Sequence, residues 1–129
     1  MNERLERVVE AQIARAARKF GPDAIWLRRE DGRRLRVVAI ASDGEPEPET
    51  FGNATVYRRR RIYVVAESTW RSARDFVGGD DALRRGETFI EEEGGTERKF
   101  RPDVPASSVR FGGGFARRIE CVQVEESQR

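Results

Sequence analysis

The sequence predicts a mainly β (α+β) fold, a small β-barrel or sandwich of antiparallel strands carrying one amphipathic helix at its N-terminal end. Three observations lead there. Strong helical periodicity is confined to the first twenty residues, and most of the remaining chain breaks into short runs rich in valine, isoleucine and aromatic residues. Asp-Gly and Gly-Gly pairs separate those runs, the residues that tight hairpin turns require. A length of 129 residues supports one domain. Residues 1–21 then form the helix and 22–125 the β-barrel, with exposed loops near 42–54 and 68–82.

Leu5, Val8, Val9, Gln12, Ile13, Ala16, Ala17 and Phe20 recur at spacings of three and four, with Arg4, Arg7, Glu10, Arg15 and Arg18 elsewhere. This is one stripe of a helix, read as a packing face. Asn2 is placed to cap it, Glu3 and Glu6 suit the positive end of its dipole, Arg18 and Lys19 the negative end, and Gly21-Pro22 stops it.

Residues 24–29 and 34–41 flank Glu30-Asp31-Gly32-Arg33, a hairpin signal. From Ser42 to Thr50 proline alternates with glutamate, which forbids helix and disfavours ladder pairing, so an exposed acidic loop is expected. Residues 55–67 form the longest strand candidate. Trp70, Ala73, Phe76 and Val77 fit either a short helix ended by Gly78-Gly79 or part of a loop. Leu83-Arg84-Arg85-Gly86 turns into a strand at 87–91, Gly94-Gly95 reverses it into 96–101, and Pro102 and Pro105 close that hairpin. The last strand spans 118–125, after a bend at Gly112-Gly113-Gly114, and residues 126–129 form a tail.

The chemistry is bounded by what the chain lacks. There is no histidine, which removes the commonest general base, the usual serine triad and most zinc or iron sites. Cys121 is the single cysteine, so no disulfide or structural zinc site forms within one chain, and it reads as a small core residue. Asp80-Asp81 reads as a polar turn. Glu91, Glu92 and Glu93 alternate faces along a strand and so do not aim two adjacent carboxylates at one substrate. The expectation is a binding protein and not an enzyme, with no cofactor and no metal. No apolar stretch is long enough for a membrane helix and no apolar leader begins the chain, so neither membrane attachment nor export is expected.

Hydrophobic and charged residues each make up 37% of the chain, a thin core that neighbouring subunits would complete. Net charge is only +2, so any nucleic-acid contact must be local. The candidate is Arg58, Arg59, Arg60 and Arg61. In an extended strand these divide between two faces, and Tyr57 and Tyr63 share the face of Arg59 and Arg61. Aromatics between arginines on one face are what base stacking along a single strand needs. A small nucleic-acid-binding β-barrel is therefore one reading. The other pairs the arginines with carboxylates.

The strand Ile62-Tyr63-Val64-Val65, the passage Leu83-Arg84-Arg85-Gly86-Glu87-Thr88-Phe89 and the closing strand from Ile119 to Val124, in this order of elements, resemble the head-to-tail joining (stopper, or head-completion) proteins of long-tailed bacteriophages. The resemblance covers about half the chain and departs at 68–81, at the Pro-Glu stretch and at the glycine triplet. It implies a homo-oligomeric ring, a hexamer, in the virion neck, assembled from subunits made in the bacterial host cytoplasm. Its partners would be portal or adaptor proteins on one side and tail-tube or tail-terminator proteins on the other, with double-stranded DNA held in its channel. The related tail-terminator and tail-completion proteins are the alternative within that class. A ring closed by two different surfaces suits a chain rich in both arginine and glutamate. Arg58 to Arg61 are accordingly expected to meet a neighbour's Glu45, Glu47 and Glu49. Glu91, Glu92 and Glu93 are expected to line a channel that does not grip phosphate.

Overall fold

The computed structural model describes residues 3–78, 87–102, 108–111 and 114–124. The expected cap at Asn2, the turns at Asp80-Asp81 and Leu83-Gly86, the helix stop at Gly79, Pro105, Gly112-Gly113 and the tail at 126–129 lie outside them. The fold is mainly antiparallel β with two helices, α1 (Glu3–Phe20) and α2 (Glu67–Val77).

α1 is the expected helix, but only part of its apolar stripe packs. Ile13 is buried and Val9, Ala16 and Ala17 are half-buried, whereas Leu5, Val8 and Phe20 are exposed. The acids explain the roll. Glu6 accepts from Arg71 Nη2 at 2.9 Å and Glu10 accepts from the Ser68 hydroxyl, so both carboxylates turn towards α2. The arginines are left on the opposite side.

The expected loop at 68–82 is largely helix. α2 buries Trp70, Ala73 and Val77 at spacings of three and four, and Gly78 ends it at φ 90°, its N–H donating to Arg74 O and Asp75 O. Glu67 in its first turn accepts from Arg117 Nε at 3.0 Å, and the Arg117 guanidinium lies 5.3 Å from the centre of the Trp70 ring. A charge pair and a buried indole thus lock α2 onto the sheet.

The strands are β1 (Ala24–Arg28), β2 (Arg34–Arg36), β3 (Ile40–Asp43), β4 (Glu47–Phe51), β5 (Ala54–Arg58), β6 (Arg60–Ala66), β7 (Thr88–Glu93), β8 (Thr96–Pro102), β9 (Ser108–Phe111) and β10 (Ala116–Gln123). One sheet runs β2-β1-β7-β8-β10-β6-β3, with β9 paired to β10 beside it. β1 and β2 form the Asp-Gly hairpin, with Gly32 at φ 96°. The Gly94-Gly95 hairpin joins β7 to β8.

The sheet is neither a sandwich nor a closed barrel. β2 and β3 stand at its two ends without pairing, although only residues 37–39 separate them in the chain. The expected single strand at 34–41 divides. Its first part pairs with β1, Val37 N–H still donates to Ile25 O at 2.9 Å, and its second part pairs with β6. Val37 and Ala39 are buried at this crossing.

The interior is filled by alternate residues of the strands. Leu27, Tyr63, Phe89, Phe100, Ile119 and Cys121 are all fully buried, and the Tyr63 ring sits 4.8 Å from Phe89 and edge-on to Phe100 at 6.3 Å. Cys121 is the core residue that its sequence neighbourhood indicates.

The expected acidic loop at 42–54 is a hairpin. β4 pairs with β5 in register from Glu47 opposite Arg58 to Phe51 opposite Ala54, as a separate two-stranded sheet. Proline is excluded from central strands because it cannot donate. A ribbon of two strands has two open edges, where a missing N–H costs no ladder bond, and Pro48 sits in such a ribbon opposite Tyr57.

Candidate charged network and projecting hairpin

The arginine run straddles the junction of two strands: Arg58 ends β5, Arg59 lies between them, and Arg60 and Arg61 begin β6. The expected Tyr57-Arg59-Arg61-Tyr63 face therefore does not exist. Tyr57 stands exposed on the hairpin, while Arg61 and Tyr63, two apart on β6, turn into the sheet interior.

There they meet Glu91 of β7. Arg61 Nε donates to Glu91 Oε2 at 2.6 Å and Arg61 Nη2 to Oε1 at 2.9 Å, a bidentate fork. The Tyr63 hydroxyl donates to the same Oε2 at 2.6 Å. β8 and β10 lie between β7 and β6 in the sheet, so these bonds span its concave side. Asp43 of β3 extends the network outward, its Oδ1 accepting from Arg61 Nη1 at 3.1 Å and from Arg59 Nε at 3.2 Å. Arg59 in turn lies 5.8 Å from the centre of the Phe100 ring.

Glu91 is only 3% exposed, so it cannot line a channel as expected. The alternation of β7 puts it on the face of Phe89, inside, and three donors occupy its oxygens. Glu93 is exposed, and Glu92 is half-buried where Trp26 Nε1 donates to it at 3.4 Å.

The electrostatics follow from this packing. Burial, then the charge of Glu91 and its hydrogen bond, push the Tyr63 phenol far above its ordinary range, so it stays a donor. Burial alone would lower the pKa of Arg61, but the hydrogen bonds and charge of Glu91, with Tyr63 and Asp43 adding, raise it. Burial would likewise raise Asp43, yet Arg59 and Arg61 hold it below its ordinary 3.8. Tyr63, Arg61 and Asp43 are each held in the state that their partners need. The network holds one end of the sheet together and presents no free base or nucleophile.

The remaining site residues separate from this network. Arg60 Nη2 donates to Glu120 at 3.4 Å, and Arg118 reaches the other oxygen of the same carboxylate at 3.4 Å. Glu45 lies with Pro46 and Pro48 along a cleft of about 610 Å³ that these residues share with Arg60, Ile62 and Arg118. Gly44 makes the bend into the hairpin possible: a Cβ there would meet Arg60 Cβ at 3.2 Å, and its N–H donates to Arg60 O. Within the chain, then, the carboxylates that meet Arg59, Arg60 and Arg61 include Asp43, Glu120 and Glu91. The inward alternation of Phe89 and Glu91, matched to that of Arg61 and Tyr63, is the signal that would have found the central pair.

The second feature is the hairpin itself. Its described side chains from Thr50 to Tyr57 are exposed, including Phe51 at 59% and Tyr57 at 66%. Among the described residues no group of three or more potential ligands could hold a metal ion, and no helix is long and apolar enough to cross a membrane. No protein-family model matches the chain, and no curated protein matches it.

Proposed function

We propose that the chain is a structural subunit that joins copies of itself head to tail into a closed ring, as the bacteriophage head-to-tail joining proteins do. The projecting β4–β5 hairpin carries this reading. A two-stranded ribbon is at best marginally stable in water by itself, and this one extends from the body with an exposed phenylalanine and an exposed tyrosine. Such a ribbon gains by lying against a neighbour. Beside α1, Val38 at the crossing exposes a second, different apolar surface. Two unlike surfaces per subunit make a heterologous contact, which closes into a ring when the rotation permits. In the phage reading the ring has six subunits, holds packaged DNA, and lies between portal or adaptor and tail in the virion neck.

Native mass spectrometry with negative-stain imaging tests this. The expected result is a closed ring with a channel wide enough for duplex DNA. A protein that stays monomeric at all concentrations, and binds oligonucleotides with a steep salt dependence, would overturn it in favour of the nucleic-acid-binding barrel.

A further inference from the structure

α1 presents a one-signed surface. Arg4, Arg7, Arg15 and Arg18 recur at spacings of three, eight and three, which puts them on one stripe of a helix. All four are exposed, and none pairs with a carboxylate among the described residues. Glu6 and Glu10, which could have neutralised them, face α2 instead.

Beside the C-terminal half of this stripe is a cleft of about 450 Å³ between α1 and the crossing at residues 37–39. Ala14, Ala17, Ile25, Val37 and Val38 give it apolar walls, and Arg18, Arg36 and Asp23 also line it. Val38 is 43% exposed, a valine left facing solvent in the middle of the crossing. A cleft of this size holds an aromatic side chain with room for the backbone that brings it.

The hairpin is complementary on both counts. It carries Glu45, Glu47 and Glu49 against Arg58 alone, and Phe51 stands at its tip beside the Gly52-Asn53 turn. It does not use its own chain's cleft. Its root lies along Ile62 and Arg118 of β6 and β10, a different surface from α1 and the crossing.

We infer that the cleft between α1 and the crossing receives the hairpin tip of a second copy, with Phe51 against its apolar walls and the net-negative ribbon laid along the arginine stripe of α1. This rests on the ring reading and names its seam. Opposite charge steers the approach and the buried ring supplies the anchor, the usual division at an interface. The arginine run of β5 and β6 is not the receiving surface, because its members are engaged at home.

Two variants at exposed positions test the seam, Phe51→Asp on the hairpin and Val38→Asp in the cleft. Thermal melts first establish that each folds as the parent does. Each alone is expected to raise the concentration needed for assembly by at least roughly tenfold, the scale of losing an interface anchor. Mixed in equal amounts, they are expected to form heterodimers and nothing larger, because one intact seam remains between an undamaged hairpin and an undamaged cleft. In a second measurement, a chain carrying both Phe51→Cys and Val38→Cys is expected to cross-link into a ladder of multimers on oxidation, with Cys121 buried and silent. If the parent assembles but Phe51→Asp assembles equally well and the paired cysteines give no ladder, the seam is wrong and the ring reading stands. If the parent never assembles, both fall.

Discussion

Arg61 and Glu91 grip each other across the concave side of the sheet through bonds of 2.6 and 2.9 Å, although two strands lie between their own. Removing one member leaves the other's charge in the interior without its partner, which costs about 3–5 kcal/mol, whereas replacing both by apolar residues is often close to neutral. Arg61→Met is therefore expected to lower the urea midpoint sharply and Arg61→Met with Glu91→Leu to recover most of the loss. Equal losses in the single and double variants would show that the pair is not the cause.

Acid weakens the outer part of the same network and, separately, the Arg34–Glu97 pair between β2 and β8. Asp43, below its ordinary 3.8, and Glu97, held below its ordinary 4.5 chiefly by hydrogen bonds from Arg34, both titrate lower folded than unfolded. Their contribution is present above those ordinary values and drains as pH falls through the folded ones. Both carboxylates are exposed by more than a third, so the effect is modest. Urea midpoints followed downward from about pH 6 should fall below about pH 4, and Asp43→Asn should make that fall shallower.

The β7–β8 turn sets a sharper sequence requirement. Gly94 and Gly95 both have positive φ, 59° and 83°, and the Gly94 N–H donates to Asp23 Oδ2 at 2.9 Å. A Cβ at Gly94 would meet nothing within 4 Å, so any penalty there is conformational. Gly94→Val should cost about 1–2 kcal/mol, while Gly94→Asn should be nearly neutral because asparagine suits the first position of such a turn. Equilibrium denaturation of the two variants decides it.

Cys121 offers a reporter of opening. It is fully buried, so a thiol reagent should leave the native protein unlabelled, and the labelled fraction in urea should follow the unfolding curve measured by fluorescence. Fast labelling without denaturant would mean that β10 frays locally.

Much of the fold was legible because local chemistry decided it. Gly32 and Gly94-Gly95 set two hairpins, and the stripe through Ile13 set α1. What was not legible depended on long-range pairing. The division of residues 34–41 is imposed by β1 on one side and β6 on the other, strands that the linear pattern does not bring together. Proline at 48 argues against a ladder inside a wide sheet but not in a ribbon with two open edges, and nothing local distinguishes the two. The four arginines were legible as charge, but the partners of Arg59, Arg60 and Arg61, which are Asp43, Glu120 and Glu91, lie 16 to 60 residues away. No spacing rule reaches across such distances.

The crossing at residues 37–39 also sets a mechanical limit. β2 belongs to one margin of the sheet and β3 to the other, so these three residues are a covalent leash between margins that share no ladder. Fully stretched, the step from Arg36 to Ile40 reaches roughly 14 Å. The sheet cannot uncurl beyond that reach unless β2 peels from β1 or β3 from β6. Its curvature is therefore bounded by chain length, and a load that pulls the margins apart is borne by the backbone itself before any core contact has to yield.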